Sequence, residues 1–143
     1  MSQPTTDQAV RVALLAPIHG VLVPLEAVPD PVFAQRMVGD GLSIDPLEGS
    51  LHAPADGQVV HLHAASHALT MRTVEGVEIL LHIGLDTVGL RGEGFTPKVQ
   101  VGDTVRAGDL LITFDLDRIA TTARSLLTQV VVTNTELVRS LTV

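Results

Sequence analysis

The sequence predicts an all-β domain of antiparallel sheets with one or two short helices, and three observations carry that expectation. From Val10 onward the chain breaks into short apolar runs with Gly, Pro and Asp between them, the spacing of a sandwich or barrel. The runs are aliphatic: 45% of the residues are hydrophobic but only 2% aromatic, so the core must be Val, Leu, Ile and Ala. Mean hydropathy is +0.37, high enough to suggest a membrane protein, yet no run approaches the ~18 apolar residues needed to span a bilayer. The longest runs, 12–18 and 77–85, are strand-sized. A length of 143 residues suits one domain that buries roughly two thirds of its unfolded surface.

Residues 1–9, rich in Ser, Gln, Pro and Thr, read as a disordered leader before a single domain over 10–143. Within that domain the predicted strands are 11–16, 20–24, 42–46, 51–53, 57–62, 68–73, 77–83, 103–105, 110–115 and 129–133. Between the second and third, Asp30-Pro31 opens a short helix, because Asp is a good N-cap and Pro suits the first helical position. Gly39 is its expected stop. A second helix begins near Asp117, where Ile119, Ala123, Leu126 and Leu127 recur at helical spacing. A weak internal repeat is visible. Ala16-Pro17-Ile18-His19-Gly20 and Ala53-Pro54-Ala55-Asp56-Gly57 each deliver a strand through a Pro-containing turn and a Gly. A third turn unit, from Val101 to Leu111, sets two Gly-Asp turns around one short strand.

Charge and composition exclude several functions. The net charge is −7 with only nine Lys and Arg, whereas phosphate contacts need clustered cations, so nucleic acid is not an expected partner. With three Phe, no Trp and no Tyr there is no base-stacking platform. Cysteine is absent, which removes disulfides, thiolate metal sites and Cys nucleophiles. The polar N-terminus lacks the layout of a signal peptide. A cytoplasmic protein without direct membrane insertion is expected. The six His are then the first place to look for chemistry.

The most informative stretch runs from Ser66 to Val88. Two strand-like runs flank Glu75-Gly76, read as a two-residue hairpin loop. Pairing Val74 with Val77 sets Leu69 opposite His82 and His67 opposite Gly84. His67 and His82 then become diagonal neighbours on one face, within about 8 Å. Gly84 would leave open space beside His67, while Ile79, Leu81 and Ile83 point into a core. A slip of one residue would put the two His on opposite faces. Two imidazoles on one face suit phosphoryl attack, with one ring as nucleophile and the other as hydrogen-bond donor, or part of a zinc site. Two ordinary strand His are the plain alternative.

Leu81-His82-Ile83-Gly84-Leu85-Asp86-Thr87-Val88-Gly89-Leu90-Arg91-Gly92-Glu93-Gly94-Phe95 resembles the active-site signature of the glucose-type IIA component of the bacterial phosphoenolpyruvate:sugar phosphotransferase system. Val28-Pro29-Asp30-Pro31-Val32-Phe33-Ala34, Met37-Val38-Gly39-Asp40-Gly41, Ala53-Pro54-Ala55-Asp56-Gly57, His67-Ala68 and Phe114-Asp115-Leu116 fall in the same order as in that family. The resemblance covers roughly residues 12–134. It implies a barrel-sandwich hybrid with a duplicated hybrid motif. It further implies a phosphohistidine carrier that takes a phosphoryl group from HPr and passes it to a Cys of a IIB domain, of a glucose- or N-acetylglucosamine-type permease. By this resemblance His82 is the acceptor and His67 stabilises the phosphoryl group. Asp86, Gly84 and Val88 form the rim, and Phe33, Met37 and Val38 form an exposed apolar docking patch. No cofactor is intrinsic. Zinc between His67 and His82 belongs only to a partner complex, since two His leave its coordination incomplete.

Two departures stand out. Ala65, two before His67, replaces a Thr whose hydroxyl usually supports the site. Family members also usually carry a further Gly-containing turn and a final strand beyond the position of Val143. The resemblance therefore implies either a shortened domain or a piece of a fused phosphotransferase protein. Two other readings stay in view. One is a regulatory binding module acting through the unphosphorylated face. The other is a zinc peptidase using His61 and His63, although alternation sets that pair on one strand face toward solvent. His19, in a Pro-Gly turn, is expected at the surface.

Overall fold

The computed structural model describes residues 10–143. The predicted leader, 1–9, lies outside the described residues. Among the described residues ten strands form: β1 Gly20–Pro24, β2 Asp40–Pro46, β3 Ser50–His52, β4 Gly57–Leu62, β5 Ala68–Thr73, β6 Glu78–His82, β7 Phe95–Pro97, β8 Thr104–Val105, β9 Leu110–Phe114 and β10 Thr128–Val132. A seven-stranded sheet runs in the order β1-β2-β10-β6-β5-β4-β8, and a three-stranded sheet in the order β3-β9-β7. All the strand pairs are antiparallel, and neither sheet closes on itself, so the expected all-β sandwich holds. Two helices, α1 Pro31–Ala34 and α2 Leu116–Thr122, are short as expected. No helix among the described residues is long and apolar enough to cross a membrane.

Alternation decides what each face buries. Leu69, Met71, Ile79, Leu81 and Ile83 are fully buried and join Leu51, Ile112 and Phe114 of the small sheet in the main core. Each such aliphatic side chain contributes about 2 kcal/mol of transfer free energy. The opposite face of the large sheet is also covered. Leu80 and Val131 pack there against Leu25, Val28, Phe33 and Leu85. Covering both faces accounts for β10, where every residue is buried and the apolar run is continuous rather than alternating.

The two Ala-Pro turns are structural counterparts, and they bind each other. Leu15 N–H donates to Pro54 O (2.8 Å) and His52 N–H to Pro17 O (2.6 Å). The Gly-Asp turns also match. Asp103 Oδ2 accepts from Gln100 N–H, as Asp109 Oδ2 does from Arg106 N–H.

Four expectations are corrected. Residues 11–16 make no strand; Leu14 packs on the core, but the segment joins no ladder. β7 was not foreseen, because it is three residues long and contains Pro97, which an edge strand tolerates. α1 has its Asp30 cap, with Oδ1 accepting from Val32 N–H at 3.0 Å, yet ends at Ala34 rather than Gly39. Arg36 just beyond has φ +57° and is held by Glu26 and Asp40, so the helical path cannot continue. α2 begins near Asp117 as expected, capped by Asp115, whose Oδ1 takes the Arg118 N–H at 3.1 Å, but it ends at Thr122, so Leu126 and Leu127 lie beyond it.

Candidate active site

The β5–β6 hairpin carries the site, and its register differs by one residue from the expected one. Ala68 pairs with His82, Leu69 with Leu81 and Arg72 with Glu78. The loop is Val74-Glu75-Gly76, three residues long, closed by Gly76 N–H to Thr73 O at 2.9 Å with Gly76 at φ +96°. A three-residue loop with a left-handed Gly is the second common hairpin solution. Thr73 favours it by taking the Val77 N–H on its hydroxyl at 3.1 Å.

In that register a regular ladder would send the two His to opposite faces. The structure nonetheless brings their rings together, with centroids 5.0 Å apart and planes at 81°. Both residues sit where the ladder gives out. Ser66, just before His67, has φ +64°, and Gly84, two after His82, has φ +74°. His67 still holds Ile83 N–H through its carbonyl (2.9 Å), but its ring leaves the core face and meets His82 at the strand ends. Proximity was expected correctly, for a different geometric reason.

His82 closes β6 on the face covered by α1. Its ring lies 5.2 Å from the Phe33 ring. Its Nδ1 is 2.9 Å from Gly84 O. A carbonyl can only accept, so Nδ1 carries the proton and Nε2 presents the lone pair. Gly84 is not the open space expected of it: a Cβ there would stand 2.6 Å from Thr87 Cγ2 and 2.8 Å from Ser125 O. Thr87, absent from the expected site, is fully buried and donates to Ile83 O at 2.6 Å, fixing the turn that aims the Gly84 carbonyl. Burial lowers the His82 pKa, which keeps the ring neutral at pH 7. The Gly84 carbonyl, the nearby Gln129 side chain and the Asp30 carboxylate pull the other way. They favour positive charge on the ring, which is what a bond forming at Nε2 creates. Asp30 thus serves twice, as helix cap and as counter-charge. Gln129, cross-strand partner of His82, is fully buried and comes from a strand nearly fifty residues away, so no local signal marks it.

His67 is 3% exposed, and its pKa is lowered to about 4, chiefly by burial and then by the two neighbouring His. Its Nδ1 has no hydrogen-bond partner. The other such buried side-chain atom among the described residues is Oε1 of Gln129, so both orphans flank His82. Ala65, two residues earlier, has no hydroxyl to offer. Ser66, the other nearby hydroxyl, does not supply the bond.

The rim and patch divide. Asp86 is exposed at φ +59° and makes no capping bond through its side chain. Val88 is 55% and Met37 70% exposed, while Val38 is half-buried. Phe33, expected in an exposed patch, is instead 6% exposed and part of the second core, with its ring against His82. It lines the site from below rather than presenting a free face. His19 and His61 are exposed, as expected. His63 is not: it lies one residue past the end of β4, beyond the strand's alternation, and its ring lies 4.4 Å from the His67 ring. No group of three or more His, Cys, Asp or Glu among the described residues is arranged to hold a metal ion.

Residues 12–138 match the family model for the phosphoenolpyruvate-dependent sugar phosphotransferase system, EIIA 1. The chain is 48% identical over 128 residues to the PTS system glucose-specific EIIA component of Bacillus cereus, covering 90% of this chain and 78% of that protein. It is 50% identical over 121 residues to the protein of the same name from Halalkalibacterium halodurans, covering 85% and 70%. Among solved structures, glucose permease IIA from Mycoplasma capricolum superposes with a TM-score of 0.84 at 44% identity, covering 86% of this chain and 80% of that one. The chain belongs to the EIIA type 1 family and is a phosphotransferase component of the phosphoenolpyruvate-dependent sugar phosphotransferase system.

Proposed function

We propose that Nε2 of His82 is the phosphoryl acceptor of this component, with phosphorylated HPr as donor and a Cys of a IIB domain as the next acceptor. The observation that carries the assignment is the bond from Nδ1–H to Gly84 O, which leaves a neutral ring with one free lone pair. Attack by that lone pair forms the N–P bond while the bond to the donor breaks. The proton stays on Nδ1, hydrogen-bonded to Gly84 O, and the developing positive charge is offset by Gly84 O and Asp30. Most of the catalysis is positioning and fixed electrostatics. His67, neutral and 5.0 Å away, donates from Nε2 to the phosphoryl oxygens when its proton is there.

Both partners would dock over exposed apolar residues on the segments flanking His82, namely Val32 and Met37 on one side and Val88 on the other. The net charge of −7 suits a basic-rimmed donor protein. The names of the relatives support a glucose-type permease as the receiving protein. A cytoplasmic carrier follows from this reading.

Reconstitution with phosphoenolpyruvate, enzyme I and HPr tests it. One acid-labile phosphoryl group should appear on the wild type and none on His82→Ala. His67→Gln should accept the group but pass it on poorly. Label on His82→Ala would overturn the acceptor assignment, and normal onward transfer by His67→Gln would overturn the second.

A further inference from the structure

His63 stands outside everything assigned so far, yet its ring makes the tightest ring contact in the site. Its centroid is 4.4 Å from His67, at 57° between planes. Three local features put it there. It lies one residue past the end of β4 at Leu62, where strand alternation no longer sets its direction. The 63–68 connection is tight: His63 N–H donates to Ala68 O at 2.9 Å and Ser66 N–H to His63 O at 2.8 Å. Within that turn Ala65 N–H donates to His63 Nδ1 at 3.0 Å. An accepting Nδ1 means that the neutral His63 ring carries its proton on Nε2, and its side chain is pinned to its own turn. His67 has no comparable anchor, because its Nδ1 is buried without a partner. The rings against it are His63 at 4.4 Å, His82 at 5.0 Å and Phe95 at 6.3 Å.

We propose that His63 is a positioning residue for phosphoryl transfer: its anchored ring holds His67 against His82, in place of the hydrogen bond that Ala65 cannot supply. This rests on the assignment of His82 and His67 above. It implies that the two devices substitute for one another. A hydroxyl at 65 would make His63 dispensable, and loss of His63 would matter most where no hydroxyl is present.

The test uses the full chain with HPr and a IIB domain, and separates acceptance by His82 from onward transfer. His63→Ala should still take one phosphoryl group. Its maximal rate of onward transfer should fall about tenfold, as a misplaced ring would cause, with the KM for the IIB domain unchanged. His63→Phe keeps a ring of similar reach and should recover to within about twofold of wild type. In an Ala65→Thr background the loss on removing His63 should shrink to about threefold or less. Wild-type onward transfer by His63→Ala would overturn the proposal. So would a His63→Phe protein as slow as His63→Ala, or an undiminished loss in the Ala65→Thr background. Should His63→Ala fail to fold, the Phe variant and the paired backgrounds still decide. Label on His82→Ala would instead fault the underlying assignment, whatever His63 does.

Discussion

Ala65→Thr should make this protein both more stable and faster. A Thr hydroxyl two residues before His67 can donate to the buried Nδ1 that now has no partner. An unsatisfied buried polar atom costs about 1–3 kcal/mol, and a neutral hydrogen bond returns a net ~1 kcal/mol once its competition with water is counted. Ordering a β-branched side chain in a half-buried turn offsets part of this, so a gain of about 1 kcal/mol is the central expectation. For a domain of this length that raises Tm by about 3–4 °C. The kinetic effect has a separate origin. A hydroxyl donating to Nδ1 forbids a proton there and so places it on Nε2, where it can meet phosphoryl oxygens. If the whole ~1 kcal/mol reached the transition state, onward transfer would quicken about fivefold, which is the ceiling. Ala65→Val is the control, adding the same branched shape with no donor. Thermal melts, single-turnover transfer to a IIB domain and the ¹⁵N shifts of the His67 ring make the comparison. Equal Tm for the Thr and Val variants, with an unmoved Nδ1 resonance, would show that Nδ1 was never lacking a partner and would refute the reasoning.

Two further outcomes follow from the same site. The His67 pKa falls from 6.5 in the unfolded chain to about 4 in the fold, so the unfolded chain binds more protons between those values. Stability from this group is therefore complete above about pH 6.5 and is lost as pH falls toward 4, by up to about 3 kcal/mol. His82, shifted the same way, adds to the loss. Melts of His67→Gln across pH 7 to 4 should show a flatter acid decline than wild type, and parallel curves would refute the assignment. Gly84→Ala should cost about 2 kcal/mol or more. It combines φ +74° with a Cβ 2.8 Å from a backbone carbonyl, and it should also slow phosphorylation by displacing the Gly84 carbonyl. A melting point within 1 °C of wild type would contradict that.

Much of the fold is legible because strands announce themselves by spacing. The limits of β1, β4 and β5 coincide with their Gly-to-turn intervals, and Ile79, Leu81 and Ile83 face the core as alternation requires. What escapes has identifiable causes. The 11–16 run is apolar because Leu14 packs on the core, and apolar content reports burial, not a ladder. β7 hides behind Pro97. Leu126 and Leu127 keep the helical spacing past the end of α2 because they are partly buried against the core, and burial alone does not extend a helix. Gln129 and the Gly84 carbonyl were out of reach for another reason: one arrives from a distant strand, and the other is backbone.

The pairing of His67 with His82 shows why a correct expectation of proximity can follow from an incorrect ladder. Reading Glu75-Gly76 as a two-residue loop put both His on one face. Gly76 at φ +96° extends the loop to three residues and shifts the ladder by one. Regular strands would then have separated the rings. The left-handed Ser66 and Gly84 undo the separation by ending the ladder on either side of it. His63 leaves its expected solvent face for a like reason: β4 ends at Leu62, and the next residue, in the turn, meets the His67 ring. Each active-site imidazole thus lies at or beyond a strand end, where pleat parity no longer dictates direction. A sheet supplies rigidity, but its alternation can put only every second residue on a face. Here the rings of His63 and His67 meet at 4.4 Å, and those of His67 and His82 at 5.0 Å, where that alternation gives out at the ends of three strands. Positive-φ residues at strand ends beside the imidazoles are therefore the signals by which this site is best recognised.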